Sequence, residues 1–565
     1  MNVKFLFLFL LFLLSNIKKC AKEKKEIHPD NSTHYIADGY MNKFSYSPGD
    51  TALIFINSAW ASAENVKLYV YDVNHFIVDS LIVSLYPQTI KNTYPWKDGF
   101  GYSPSFGYVI PYGLKSGMYN WENKIFFIVK HETKNADITI IYPSNTETAY
   151  NYSGGKSLYN FSSSNHTMST AVSFQRPYVT THYKLFADGI MEWLNTLHGY
   201  SVQYVCDQDM DDYNEIKNTK IIVVIGHSEY WTRNARLNFD QFVDSGHDAI
   251  ILSGNTMWWQ ARYSKDKTQL ICYKGSLYDS ISDPLLTTVN WSDTLLHYPI
   301  LNSIGADCIH GVDNNFSFLG WKGYKIMSPN SPLLMGTNLN YNDILSCPTQ
   351  ESDGTLISGF DSQNNPFIDT SSLGFCKMEL IGYDWGQNPV IATDKGYGTF
   401  IAFKKSPFSG NVINTASNHW CYKEGDTLHS QQGGFVGVDA NKIKQITLNM
   451  FNLLLAHNNI YSTSAIPGCL TTQEYIASSE KEFIISPSPT TGIINLQFVS
   501  SQTNTWSISK DIKIDVYNSM GQKIYSQNLD SQITTEIDLT NHLNGIYLLR
   551  VILENKTEYR KIIKQ

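Results

Sequence analysis

The chain has no CxxC pair, no zinc-type spacing of Cys and His, and no repeat of solenoid length. These absences exclude thioredoxin-like redox proteins, zinc ribbons and helical or propeller arrays. There is no surplus of positive charge either. Its 43 Lys and Arg are interspersed with 51 Asp and Glu, a balance that argues against nucleic acid as a partner. Beyond the first residues, no apolar run is long enough to span a bilayer, so no membrane span is expected. Cysteines are few and scattered: after Cys20 come Cys206, Cys272, Cys308, Cys347, Cys376, Cys421 and Cys469. An odd number after the leader leaves at least one unpaired, and connectivity does not follow from spacing.

What is present points outward from the cell. MNVKFLFLFLLFLLSN places one Lys before a short apolar run, the pattern of a secretory signal, here read as residues 1–20. Ile17, Lys18 and Lys19 stand before Cys20 where a lipoprotein site needs small residues, so the mature protein is expected to be soluble outside the cytoplasm. At 565 residues the chain exceeds one hydrophobic core. The 36 Tyr and 12 Trp lean toward β-rich structure.

Residues 27–135 carry runs such as TALIFINSA and NVKLYVYDV between turn clusters, and read as an immunoglobulin-like β-sandwich. Residues 136–460 change to strands alternating with helices, which predicts a mostly parallel α/β sheet domain of amidotransferase or flavodoxin-like kind. A polar connection over 461–482 leads to a small C-terminal β-sandwich over 483–565. The expected class is thus an α/β multidomain protein.

The densest chemistry lies in IIVVIGHSEYW, Ile221–Trp231. An unbroken aliphatic run reads as a strand buried on both faces, and ligands collect at the carboxyl ends of such strands in α/β folds. Serine hydrolysis fits poorly: GHSEY begins like the nucleophile elbow G-x-S-x-G, but Tyr230 occupies the position that must be small. A metal is the alternative. Glu229 offers a hard oxygen, and Tyr119 in SGMY and Tyr150 in ETAYNYSGG offer phenols. A phenol of pKa about 10 is held ionised at neutral pH only by a strongly Lewis-acidic ion.

Two resemblances give these residues a setting. IPYGLKSGMY, YPSNTETAYNYSGGKSLY, SFQRPY, EWLNTLHGYSVQYVCDQD, GHSEYW and ILSGNTMWWQARY follow one another as in the large subunit of N,N-dimethylformamidase. The resemblance spans roughly residues 104–420. It implies a mononuclear Fe(III) held by Tyr119, Tyr150 and Glu229, with His227, Asn255 and Lys274 as catalytic residues, and a later acidic residue at Asp384. The implied activity is hydrolysis of a small amide substrate, with iron as Lewis acid, His227 moving protons, and Asn255 and Lys274 orienting substrate and stabilising charge. The resemblance leaves a small partner subunit or a homo-oligomer open. SPSPTTG, VYNSMGQKIYS and LNGIYLLRV closing with KIIKQ resemble the C-terminal sorting domain of type IX secretion cargo in Bacteroidetes. This implies export by the type IX secretion machinery, to the cell surface or beyond. A non-catalytic surface protein that binds a glycan or a protein on the same scaffold is the competing expectation.

Overall fold

The computed structural model describes residues 35–60, 63–178, 185–311, 319–347, 349, 351–391, 395–423, 433–463, 466–467, 483–486, 490–498, 512–518, 522–529, 534–553 and 556–564. The leader read at 1–20 and most of the connection read at 461–482 lie outside them. Contacts divide the chain into two units, Met1–Gly468 and Cys469–Gln565.

The first unit opens with a two-sheet sandwich. One sheet orders Ile36–Met41, Thr51–Ser58 and Phe106–Val109; the other orders Ser45–Tyr46, Ile125–Val129, Gly117–Trp121, Ala63–Asp72 and Ile77–Leu85. Alternation explains the layering: in Thr51–Ser58 the residues Ala52, Ile54 and Ile56 point inward and are fully buried, while Thr51 and Leu53 are exposed. Trp121 fills the centre, with Phe106 and Tyr108 edge-on at 5.4 and 5.0 Å. Lys130 joins this sandwich to the rest of the unit through Asp209 and Glu215, at 3.2 and 3.1 Å.

The middle of the chain builds one large sheet. Its main strands are β1 (Ile138–Tyr142), β2 (Val202–Cys206), β3 (Ile221–His227), β4 (Asp248–Gly254), β5 (Lys377–Gln387), β6 (Lys395–Lys404) and β7 (Asn411–Asn414). They lie in the order β2-β1-β3-β4-β7-β6-β5, and the short strands Tyr324–Ile326 and Ile344–Leu345 extend the β5 edge. Four helices matter for the site: α1 (Ser144–Tyr150), α2 (Leu185–Thr196), α3 (Arg233–Asp244) and α4 (Ala440–Leu455). Ile221, Val223 and Ile225 pack with α2 and α4 on one face, and Ile222 and Val224 with α3 on the other. That two-sided burial is why β3 reads as an uninterrupted apolar run.

The α/β class expected for the protein is not what forms. Among the described residues strands outweigh helices, 36% against 17%, and are spread over several sheets. The ladders β2-β1, β1-β3, β3-β4 and β4-β7 are parallel, but β7-β6, β6-β5 and the strands beyond are antiparallel. The middle of the chain is therefore not a parallel α/β domain. An apolar run reports burial on both faces and says nothing of its neighbour's direction. Here the long β5–β6 pair closes the sheet, and the stretch between β4 and β5 folds into short strands and single turns where crossover helices would be needed.

The second unit has a three-stranded sheet (Phe483–Ser486, Ile493–Phe498, Thr534–Asp538) and a four-stranded sheet ordered Lys523–Leu529, Ile512–Tyr517, Gly545–Leu553, Lys556–Lys564. Ile494, Leu496, Ile514, Val516, Leu549 and Val551 form its core. No helix among the described residues is long and apolar enough to cross a membrane.

Because Trp121 is wholly enclosed by the sandwich, Trp121→Ala is expected to cost about 3–5 kcal/mol. Chemical denaturation of wild type and variant checks this as a lowered midpoint.

Candidate active site

At the end of β3 the backbone turns left-handed at Gly226, φ +74°. A Cβ there would meet Ala187 at 3.4 Å and the Phe186 backbone at 3.5 Å, so α2 packs directly on the strand end. The turn delivers His227, Ser228 and Glu229 into the interior. Ser228 is engaged structurally: its amide donates to Ser253 Oγ at 3.1 Å, and its Oγ accepts from the Trp231 indole at 2.9 Å.

His227 is fully buried between two carboxylates. Its Nε2 lies 3.6 Å from Glu229 Oε1 and 3.5 Å from Glu351 Oε2. The Glu229 amide donates to Thr146 Oγ1 at 2.9 Å, and its Oε2 accepts from the Tyr159 hydroxyl at 2.6 Å. Glu351 Oε2 accepts from Asn418 Nδ2 at 2.9 Å. Tyr150, at the end of α1, stacks on Tyr159 with ring centroids 4.0 Å apart and lies 6.1 Å from the His227 ring. Phe186 packs 5.9 Å from His227 and edge-on to the buried His419 at 5.7 Å. Lys274 Nζ sits 3.4 Å from the centre of the Tyr159 ring, over its negative face.

The electrostatics follow from burial. Burial first, and then the charge of Glu229, pushes the Tyr159 hydroxyl well above the usual phenol range, so it stands as a neutral donor to that carboxylate. Burial also lowers Lys274 to about 8 against the opposing pull of Glu229. Backbone strain gathers here as well: Asn255, Met257, Lys274, Glu351 and Ala416 all adopt left-handed φ between +49° and +59°. At the end of β4, Gly254 is jammed in place, since a Cβ would lie 2.1 Å from the Glu351 carbonyl and 2.8 Å from the Asn418 amide.

The structure brings Tyr150, Glu229, His227 and Lys274 together. Asn255 follows Gly254, which pairs with His227 in the β3–β4 ladder, and its Oδ1 is buried with no protein partner. Tyr119 is elsewhere. It lies in the sandwich core, 5.9 Å from the Phe127 ring, and its hydroxyl donates to the Lys115 carbonyl at 2.6 Å. The phenol beside Glu229 is that of Tyr159, in the same Gly- and Ser-rich stretch as Tyr150. Asp384 is also apart from His227: buried on β5, it accepts from the Lys322 and Thr349 amides, both at 3.1 Å. The second carboxylate is Glu351, in the sequence QESDG, whose polar composition carries no strand or helix pattern. A carboxylate amid turn-forming residues is the one signal the sequence offered. Among the neighbouring aromatics, Tyr230 and Trp259 pack with Tyr150 and Tyr159, whereas Trp231 and Trp258 belong to the core under the sheet.

Phenol oxygens adjoin the Glu229 carboxylate at this site. Tyr150, Tyr159 and Glu229 supply that donor chemistry, two phenols and a carboxylate on adjoining segments, and so fit a hard, strongly Lewis-acidic ion.

Comparison with known proteins defines the class first. Residues 485–565 match the secretion system C-terminal sorting domain, so the chain is an exported protein of the type IX system, bound for the cell surface or secretion. It belongs to the N,N-dimethylformamidase beta subunit-like family, whose C-terminal model matches residues 87–445. No curated protein matches the chain. Solved structures similar to parts of it include a protein of immunoglobulin-like β-sandwich fold from Bacteroides vulgatus, at 14% identity and TM-score 0.12, covering 14% of this chain and 82% of that one. The fn3 domain of human contactin 1 is similar at 9% identity and TM-score 0.12, covering 15% and 76%.

The loop carrying Lys274 is anchored by Asp279, whose buried carboxylate accepts from Arg262 at 2.5 and 2.8 Å and from the Thr288 amide at 2.9 Å. Burial pushes this carboxyl up, but Arg262 and the Thr288 and Ile281 donors outweigh it and hold it at about 2. An unfolded Asp titrates near pH 4, so the anchor stabilises fully above about pH 4 and fades as pH falls toward 2. Asp279→Asn should lower the thermal midpoint at neutral pH. Melts recorded at successive pH values should show the gap to wild type closing between pH 4 and 2.

Proposed function

We propose that this exported protein is an iron-dependent amide hydrolase, cleaving a carboxamide to acid and amine. The observation that carries the reading is the buried imidazole of His227 between Glu229 and Glu351, beside the stacked phenols of Tyr150 and Tyr159. Tyr150, Tyr159 and Glu229 would hold the metal. Ferric iron bound there supplies Lewis acidity toward the amide carbonyl.

The remaining groups divide the work of hydrolysis. His227 takes a proton from the attacking water and returns it to the departing nitrogen, a role typically worth about 10²–10⁴-fold. Glu351 orients the imidazole and balances its charge while it carries the proton, and Asn418 fixes Glu351 in turn. Asn255 Oδ1 accepts from the substrate N–H. The Lys274 ammonium stabilises the negative charge that develops on the carbonyl oxygen, and burial makes it worth more there than in water. Phe186, Tyr150 and Tyr159 exclude water from the face on which the substrate lies. Atoms balance without another reactant: one water and one amide give one acid and one amine.

Expression with ample iron should give coloured protein with a phenolate-to-iron charge-transfer band. The band should weaken in Tyr150→Phe and in Tyr159→Phe and persist in Tyr119→Phe. A panel of small amides should reveal hydrolysis that Glu229→Ala abolishes and His227→Ala lowers by at least about 10²-fold. Colourless, iron-free protein that hydrolyses no amide would leave the surface-binding reading in its place.

A further inference from the structure

Behind Glu351 the chain buries polar oxygen atoms that no protein group meets. Ser352 Oγ, Asp353 Oδ1, Thr355 Oγ1 and Asn418 Oδ1 are all inaccessible and have no hydrogen-bond partner, on residues at most 1% exposed. They belong to one neighbourhood. The Asp353 amide donates to the Ala416 carbonyl, two residues before Asn418, and Asp353 Oδ2 accepts from the Thr256 amide at 3.1 Å. The Thr355 amide donates to Thr399 Oγ1 at 3.1 Å, and Asn418 spends its Nδ2 on Glu351. Orphaned polar groups are rare and costly in native interiors, and three within residues 352–355 with a fourth on the neighbouring Asn418 demand a common explanation.

Side-chain rearrangement supplies none. Gly254, Gly311 and Gly398 press against this segment so closely that a Cβ on any of them would fall within 2.2 Å of the Glu351 carbonyl, the Ser352 carbonyl or Thr349 Oγ1, which fixes the backbone. The Asn418 amide cannot flip without turning its oxygen toward a carboxylate. Small polar groups around a fixed backbone are what buried water uses, each molecule taking two to four such partners.

We propose that ordered water fills the interior between residues 351–355 and the turns at 255–256 and 416–418, forming a chamber that solvates Glu351 from behind. The chamber is independent of any metal or activity. Asp353 suits it: burial raises its carboxyl to about 8, with Asp307 adding repulsion, so at neutral pH it offers water an O–H as well as an acceptor. Glu351 is then wet on the side away from the aromatic rings, and the front of the site can be dry without stranding the carboxylate.

A crystal structure of the full chain at a resolution that orders solvent tests this directly. Water within hydrogen-bonding distance of Ser352 Oγ, Thr355 Oγ1 and Asp353 Oδ1 is expected; a dry interior, or these oxygens bonded to one another, overturns the proposal. Thr355→Val gives a second, opposite-signed test. If the hydroxyl binds water, the nearly isosteric valine lowers the thermal midpoint by roughly 1–3 °C. If the hydroxyl is dry and unpaired, valine leaves the midpoint unchanged or raises it, and the proposal fails.

Discussion

The site is organised by a buried imidazole held between two carboxylates that come from distant parts of the chain. Glu229 and Glu351 approach the same Nε2 to 3.6 and 3.5 Å. Away from bulk water two negative charges so placed repel strongly unless a proton or a cation lies among them. Everything around His227 reads as a means of holding that arrangement. Gly226 turns the strand end, Gly254 admits the Glu351 backbone, Tyr159 and Asn418 each bind one carboxylate, and Lys274 brings a positive charge to the same wall. The left-handed residues nearby are the conformational cost of converging on one point.

Legibility in the sequence divides along physical lines. The strand Ile221–His227 is plain because burial on both faces leaves an aliphatic run, and the residues following it lie where a buried strand must emerge. The order of motifs is enough to place the family. Which phenol stands beside Glu229 is not legible. Tyr119 and Tyr159 both sit among Gly and Ser, and only folding shows that Tyr119 faces the sandwich core while Tyr159 reaches Glu229. Glu351 was hidden for the converse reason: it lies in a polar stretch, and its position is fixed by backbone packing against Gly254 instead of by any periodic pattern. Asp384 entered through the resemblance, as a later acidic residue, and in the fold its carboxylate accepts from the Thr349 and Lys322 amides.

The fold class failed for a related reason. β1, β3 and β4 carry the sequence signature of parallel strands and do pair in parallel. The signature does not extend to their neighbours, and β5, β6 and β7 complete the sheet with antiparallel ladders. Local composition specifies how deeply an element is buried. The direction of the strand beside it is decided by connections that lie far off in the chain.

The contact at Gly254 has a consequence for when this site can exist. Its parts come from α1, the ends of β3 and β4, and the segments at Glu351 and Asn418, and no continuous stretch carries more than two of them. A chain still being threaded across a membrane therefore possesses no such site at all. It arises only when the segment 351–355 docks against the end of β4, a contact between parts of the chain about 100 residues apart. For an exported protein, whatever the site captures is taken from the surroundings in which the chain completes its fold.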